Sequence, residues 1–124
     1  MSQKILVADD EPNIVISLEY LLKREGYTVL IARDGQEALE SIAREQPDLV
    51  LLDVMMPKKT GFEVCQEVRA NEAVTGIKIL MLTAKGRDTD VAKGLALGAD
   101  AYITKPFSTR ELVQKVAELL ARPA

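Results

Sequence analysis

Short apolar runs alternate five times with amphipathic segments along this chain. A short unbroken apolar run is typical of a strand buried on both faces, and apolar residues three and four apart are typical of a helix packed by one face. The predicted strands are Lys4–Ala8, Thr28–Ala32, Asp48–Leu52, Ile77–Leu82 and Ala101–Thr104. The predicted helices are Pro12–Glu25, Gly35–Glu45, Gly61–Asn71, Asp88–Leu97 and Thr109–Ala121. Five such βα units predict an α/β fold, with helices on both faces of a parallel sheet.

Boundary signals support these helices. Pro12 suits a first helical position, and Gly26 and Gly98 lie where a left-handed residue commonly ends a helix. Three further helices are each preceded by a capping residue with a glutamate three positions later. These pairs are Asp34 with Glu37, Thr60 with Glu63, and Ser108 with Glu111.

The size and charge of the chain exclude several classes of protein. Its 124 residues predict one domain spanning residues 1–124. Lys and Arg number 16 against 19 Asp and Glu, so the net charge of −3 is unlike the basic surface of a nucleic-acid binder. We expect no signal peptide and no membrane span, because the N-terminus soon reaches acidic residues and no apolar run is long enough. The single Cys65 forms no internal disulfide, so a cytoplasmic location is expected.

The chain contains no histidine. It therefore has no imidazole base, no histidine-activated nucleophile and no histidine metal site. Any chemistry must use carboxylates, lysines, hydroxyls or a metal held by oxygen.

Carboxylates follow two of the predicted strands. The first strand runs into Asp9 and Asp10, and the third ends at Asp53. If the strands are arranged in the doubly wound order 2-1-3-4-5, these two strands are neighbours and the three carboxylates converge at the ligand-binding edge. Such a cluster suits Mg²⁺ or Mn²⁺. The alternative is that Asp9 and Asp10 only begin a loop and cap the helix at Pro12.

A hydroxyl and an ammonium are predicted at the same edge. The fourth strand ends in Thr83 and Ala84, and the fifth is followed by Lys105 and Pro106. Individually, such a threonine is usually a turn residue and such a lysine a solvated charge. Together with a cation beside a carboxylate, they form what phosphoryl transfer to that carboxylate requires.

Four segments together resemble the response-regulator receiver domain of two-component signalling, over essentially the full length. They are "ADDE" at 8–11, "LLDVMMPKKTG" at 51–61, "LTAK" at 82–85 and "YITKPF" at 102–107. The resemblance implies that Asp53 accepts a phosphoryl group from a histidine of a sensor histidine kinase or a phosphotransfer protein. The donor imidazole belongs to that partner, which agrees with its absence here.

The resemblance also implies a metal site. Asp10, Asp53 and the backbone carbonyl of Met55 would bind Mg²⁺ (or Mn²⁺) directly, and Asp9 would bind it through water. Lys105 would pair with the phosphoryl group.

Further roles follow from the same resemblance. Thr83 and Tyr102 would form the switch pair, although Tyr102 is also consistent with ordinary strand packing. Ala84 would leave room for the phosphoryl group, and a cis Lys105–Pro106 bond would aim the lysine inward.

Two positions concern the lifetime of the phosphoryl group, and three alternative functions compete with an active receiver. Met55 and Lys85 occupy positions that help to set the phosphoryl lifetime in receivers. A hydrolase with an aspartyl-phosphate intermediate would carry a second Asp where this chain has Met55. A nucleotide or flavin binder would need a glycine-rich loop where this chain has "DDEPN". A degenerate receiver is disfavoured because no key residue is missing.

The output surface is expected on the fourth helix, fifth strand and fifth helix, through which we expect a downstream protein to dock. Family members that regulate transcription dimerise there through salt bridges. The matching positions keep Glu111 and Lys115, but Val91 and Ala101 replace their usual partners. We therefore expect a monomer or weak dimer, with no direct nucleic-acid binding by this chain. It is either a stand-alone receiver or the N-terminal receiver part of a longer DNA-binding regulator.

Overall fold

The computed structural model describes residues 3–84 and 86–122. The strands are β1 (Lys4–Ala8), β2 (Thr28–Ala32), β3 (Leu49–Asp53), β4 (Lys78–Ala84) and β5 (Ala101–Lys105). The helices are α1 (Pro12–Arg24), α2 (Gly35–Glu45), α3 (Gly61–Ala70), α4 (Asp88–Ala96) and α5 (Thr109–Ala121). Every predicted element is present. The differences are of one or two residues at the ends, the largest being the extension of β4 to Ala84.

The five strands form one parallel sheet in the order β2-β1-β3-β4-β5. The predicted fold class and strand order are therefore confirmed. The chain winds outward in one direction from β1 to β2 and in the other from β3 to β5. The carboxyl ends of β1 and β3 thus flank the point where the winding reverses, which is where ligands bind in sheets of this kind.

Alternating sheet residues form two apolar cores. Side chains such as Leu6, Val50 and Ile79 pack with α2 and α3 on one face. Side chains such as Ile5 and Leu51 pack with α1 and α5 on the other face. Because β1 and β3 are buried on both sides, their carboxyl ends are held on a rigid support.

Within the described ranges, no helix is both long enough and apolar enough to cross a membrane.

The predicted caps form at the helix starts. The side chains of Asp34, Thr60 and Ser108 each accept a hydrogen bond from the backbone N–H of the glutamate three residues later. Thr60 and Glu63 complete a reciprocal capping box. Gly26 and Gly98 follow α1 and α4 with φ of 93° and 109°, the left-handed conformation that favours glycine.

Arg69 stabilises the end of the sheet opposite the predicted site, where β4 and β5 begin. The sequence did not indicate this role. Its guanidinium donates hydrogen bonds to the backbone carbonyls of Gly98, Thr75 and Ile77. It also pairs with Asp100 at 2.8 Å. These contacts connect α3 to the segments that precede β4 and β5, so they serve the architecture rather than a reaction.

Candidate functional site

The three predicted carboxylates converge. Each of Asp9, Asp10 and Asp53 offers a carboxylate oxygen, and these oxygens all lie within 4.8 Å of one another. Asp9 directly follows β1, Asp53 is the last residue of β3, and the two strands are paired. Asp9 and Asp53 are buried, whereas Asp10 is exposed. The cluster is therefore built from two buried strand ends and has one open side.

The backbone around Asp53 is tightly constrained. The backbone N–H of Gly61 donates to the carbonyl of Val54 at 2.9 Å, and that of Val54 donates to the carbonyl of Leu82 at 3.2 Å. A Cβ at position 61 would collide with the Asp53 carbonyl, so only glycine permits the start of α3 to lie this close. Gly61, at the end of the "LLDVMMPKKTG" segment, thus fixes the loop that follows the carboxylate.

Lys105 connects the strand ends. Its ammonium donates to Asp9 at 2.8 Å and lies 3.5 Å from a carboxylate oxygen of Asp53. A third carboxylate, that of Glu11, lies 3.3 Å away. The peptide bond between Lys105 and Pro106 is cis, as expected. The ammonium is therefore shared among three carboxylates.

The electrostatic environment makes Asp53 unusual. Burial, the largest cause, and the nearby charge of Asp9 raise the pKa of Asp53 from 3.8 to about 6, although Lys105 opposes this shift. Burial lowers the pKa of the Lys105 ammonium, but the hydrogen bond to Asp9 and the charge of Asp53 outweigh burial and raise that pKa. Lys105 therefore stays charged, and its single positive charge only partly compensates the negative charges of Asp9, Glu11 and Asp53.

Asp9 also takes part in the loop that leads to α1. Its carboxylate accepts a hydrogen bond from the backbone N–H of Glu11 at 2.9 Å. Glu11 occupies the N-cap position of α1 without a side-chain cap bond, and Pro12 is the first helical residue as predicted. The loop role considered for Asp9 is therefore real, but it coexists with the contact to Lys105.

Thr83 and Tyr102 lie on neighbouring strands. Thr83 pairs with Thr104 and Met81 pairs with Tyr102, so both side chains belong to the same face of the sheet, one pleat apart. Thr83 is buried, and its Oγ1 finds no hydrogen-bond partner among the described residues. Tyr102 is 40% exposed, with the Lys115 ammonium 5.8 Å from its ring centroid.

The remaining predicted residues surround the cluster. A cleft of about 310 Å³ opens onto Asp53 and is lined in part by Met55, Ala84 and Lys105. Met55 and Ala84 are exposed at its mouth. Lys85, the second lifetime position, lies outside the described residues. Cys65 is fully buried among apolar side chains, which confirms that it packs as a small core residue.

Three charged residues that line the cleft had no predicted role. They are Glu11, Arg87 and Asp90. Glu11 follows Asp9 and Asp10 directly. These aspartates were selected because they follow a predicted strand, and the same reasoning could have included Glu11. Arg87 is the N-cap residue of α4 and Asp90 lies in the first turn of that helix, so neither follows a strand directly as the predicted site residues do.

The donor set fits a hard divalent cation. Asp9, Asp10 and Asp53 present only oxygen atoms, and Asp10 leaves the site open to water. Oxygen ligands with room for water are what Mg²⁺ prefers. The ammonium of Lys105 pairs with Asp9, Glu11 and Asp53, and the carboxylate of Asp10 adds a further negative charge, so a dication would reduce the mutual repulsion.

The chain matches the family described as "response regulator receiver domain" over residues 5–117. It is 52% identical over 122 residues to the alkaline phosphatase synthesis transcriptional regulatory protein PhoP of Bacillus subtilis. That match covers 98% of this chain and 50% of PhoP, so the chain spans about half the length of this curated relative.

Solved structures show the same likeness. One is the receiver domain of a sensor histidine kinase from Pseudomonas aeruginosa PAO1, which has a magnesium ion coordinated in its active-site cleft. It superposes on this chain with a TM-score of 0.91 at 30% sequence identity. The match covers 98% of this chain and 100% of that one. Chemotaxis response regulator CheY4 of Vibrio cholerae superposes with a TM-score of 0.90 at 33% identity, covering 96% and 99%. The chain therefore belongs to the response regulator receiver domain family of two-component signalling.

Proposed function

We propose that Asp53 accepts a phosphoryl group from a sensor histidine kinase or a phosphotransfer protein in a magnesium-dependent reaction. The observation that carries the proposal is the position of its carboxylate, buried at the end of β3 between the Asp9–Asp10 pair and the Lys105 ammonium. The cleft that opens onto Asp53 gives an incoming phosphoryl group access to this carboxylate.

In the transfer, an Asp53 carboxylate oxygen forms a bond to phosphorus as the bond from phosphorus to the donor imidazole nitrogen breaks. The donor imidazole, which carries a proton on its other ring nitrogen, keeps that electron pair and leaves as the neutral ring. Lys105, already 3.5 Å from Asp53, would neutralise charge on the phosphoryl oxygens and hold them in place. Ala84, at the mouth, leaves space for the group.

Asp10, Asp53 and the Met55 carbonyl would hold Mg²⁺ directly, with Asp9 contributing through water. When bound, the ion supplies charge neutralisation for the phosphoryl oxygens. Asp10 suits a direct ligand because it is exposed at the open side of the cluster, whereas Asp9 is buried and already engaged by Lys105. Mn²⁺ has similar ligand preferences.

The site favours a switch over an enzyme that turns over. An aspartyl-phosphate hydrolase would need a general acid two residues after the nucleophile, and this position is Met55, 65% exposed and without a titratable group. Hydrolysis of the phosphorylated protein is therefore expected to be slow, and the chain to catalyse only its own phosphorylation and dephosphorylation.

Thr83 and Tyr102 would carry the signal outward. A buried hydroxyl without a partner is costly, so a phosphoryl oxygen that accepts from Thr83 would satisfy it. The displacement of Thr83 would leave room on the shared sheet face for the partly exposed ring of Tyr102 to turn inward. Phosphorylation would thereby alter the surface formed by α4, β5 and α5.

This α4-β5-α5 surface would dock a downstream protein or effector domain. PhoP, named a transcriptional regulatory protein, is about twice as long as this chain, which favours the receiver part of a longer DNA-binding regulator over a stand-alone receiver.

Apolar Val91 and Ala101 support a monomer or weak dimer, because the expected salt-bridge partners of Glu111 and Lys115 are absent. Light scattering at micromolar concentration should give the monomer mass with and without beryllofluoride. A tight dimer appearing only with beryllofluoride would contradict this.

Intact-mass measurement after incubation with acetyl phosphate and Mg²⁺ tests the proposed reaction. The wild type should gain one phosphoryl mass, and Asp53→Asn should gain none. Asp48→Asn is the matched control, because Asp48 lies just before β3, at the opposite end of the strand. An unchanged wild-type mass with Mg²⁺ present would refute the proposal.

A further inference from the structure

A second cation lines the cleft beside Asp53. Arg87 lies immediately before α4, and its side chain reaches the same cleft that Asp10, Asp53 and Lys105 line. The Arg87 side chain is 54% exposed, and its guanidinium pairs with Asp90 at 3.1 Å. Asp90 itself is only 15% exposed and also lines the cleft. The Arg87–Asp90 pair therefore forms the α4 side of the opening.

Lys105 alone is poorly suited to neutralise a new anion. Its ammonium is shared among Asp9, Glu11 and Asp53. A phosphoryl group on Asp53 would add negative charge and acceptor oxygens to a cleft that already contains several carboxylates. Oxygens that face α4 would lie on the side of Arg87 rather than of Lys105.

The guanidinium of Arg87 is chemically matched to this task. Its planar set of N–H donors fits two phosphoryl oxygens at once, and hydrogen bonds between charged groups are stronger than neutral ones. The pair that it must leave is a single contact between residues three apart in the sequence, and the Arg87 side chain in it is 54% exposed. A pair with one partner so open to solvent stabilises a protein only modestly. The exchange would replace this single contact with charge-assisted hydrogen bonds to the phosphoryl oxygens, which favours it.

Resting on the proposed phosphorylation of Asp53, we infer that Arg87 exchanges Asp90 for the phosphoryl group and helps to hold it. Asp90 holds the guanidinium in the unphosphorylated protein and competes for it afterwards. Arg87 is thus a binding residue for the acyl phosphate, and Asp90 a positioning residue that acts through it. The two residues set the affinity of the cleft for a phosphoryl group without being ligands of the metal.

Titration of beryllofluoride, a phosphoryl mimic, into the Mg²⁺-loaded protein, followed by fluorine NMR, tests this inference. Arg87→Gln should weaken beryllofluoride binding about fivefold, and Arg87→Lys should recover only part of the loss. Asp90→Asn should strengthen binding about twofold, because the guanidinium is then free. Arg44→Gln is the matched control, because Arg44 also pairs with a neighbouring acid, Glu45, at the far end of α2. It should bind as the wild type does.

The double variant separates an exchange of partners from simple charge. With Arg87 already changed to Gln, Asp90→Asn should have no further effect if Asp90 acts through the guanidinium. Equal gains from Asp90→Asn in both backgrounds, or unchanged binding by Arg87→Gln, would overturn the inference and leave the proposed function intact. Absence of beryllofluoride binding by the folded wild type would overturn both. Thermal unfolding of each variant identifies any loss of fold.

Discussion

The Lys105 ammonium lies 3.5 Å from the Asp53 carboxylate, at the ends of two strands that are not adjacent in the sheet. The same ammonium donates to buried Asp9 at 2.8 Å. Lys105 therefore compensates the charge of buried Asp9 and also lies beside Asp53, the proposed phosphoacceptor. Its two contacts link the stability of the site to its chemistry.

Replacing Lys105 should destabilise the protein when no metal is present. Lys105→Met leaves Asp9 buried without its counter-charge, which should lower the unfolding free energy by about 1–3 kcal/mol. Mg²⁺ should restore much of this loss, because a dication can compensate the same carboxylates. Urea unfolding with EDTA and with Mg²⁺ measures both. Lys23→Met, which removes an exposed pair with Glu19, should change little in either condition, and a Lys105→Met variant as stable as this control would contradict the argument.

Asp53 should make stability depend on pH in the metal-free protein. Its pKa is raised from 3.8 to about 6 by burial and by Asp9. A raised pKa in the folded state means that the protonated carboxyl stabilises the fold below pH 3.8, and that this contribution is lost as the pH rises through 6. Asp53→Asn should therefore increase the unfolding free energy by on the order of 1–3 kcal/mol at neutral pH.

The gain from Asp53→Asn should shrink toward zero below pH 4, where the wild-type carboxyl is protonated. Urea unfolding in EDTA across this range measures it. Asp9, Asp10 and Lys105 lie next to Asp53. The charged residues Glu11, Arg87 and Asp90 line the same cleft, and all six are unchanged in the variant. An equal gain at every pH would show that ionisation of Asp53 is not its cause.

The two aspartates that follow β1 should differ in their importance for metal binding. Asp10→Ala should abolish Mg²⁺ binding, because its exposed carboxylate is a proposed direct ligand. Asp9→Ala should only weaken binding, because Asp9 acts through water. Calorimetric titration with Mg²⁺ distinguishes them, with Asp34→Ala, a helix cap outside the cluster, as the control. Equal affinity in Asp10→Ala and the wild type would mean that these aspartates serve the loop alone.

Most of the fold could be predicted because its signals are local. The apolar runs of β1 and β3 are continuous in the sequence. The capping pairs of α2, α3 and α5 join residues only three positions apart. Asp53 was placed at a strand end by the same reasoning, and its convergence with Asp9 followed from the strand order.

Contacts made by long side chains could not be predicted in this way. Nothing in the spacing of Arg69 indicates that it reaches three carbonyls across the sheet edge. The pairing of Arg87 with Asp90 is local, between residues three apart at the start of α4, but its position beside Asp53 depends on the loop that joins β4 to α4. The sharing of Lys105 with Glu11 depends on rotamers, which the sequence pattern does not determine.

The switch should depend on the hydroxyl of Thr83. Thr83→Ala should still become phosphorylated, because Asp53 and Lys105 remain, but should lose the hydrogen bond that draws position 83 toward the phosphoryl group. Chemical-shift changes at Tyr102 on addition of beryllofluoride should therefore be smaller than in the wild type. Thr28→Ala, an exposed threonine at the start of β2, is the control. Changes at Tyr102 as large in Thr83→Ala as in the wild type would contradict a coupled pair.

Reduction of the phosphorylated protein with borohydride, followed by peptide mass spectrometry, tests the central claim most directly. Borohydride converts an acyl phosphate, but not a free carboxylate, into an alcohol and so marks the acceptor. The account predicts a Mg²⁺-dependent mark on Asp53 alone, with Asp9 and Asp10 unmarked. A mark on another carboxylate, or none on a protein that has gained phosphoryl mass, would contradict it.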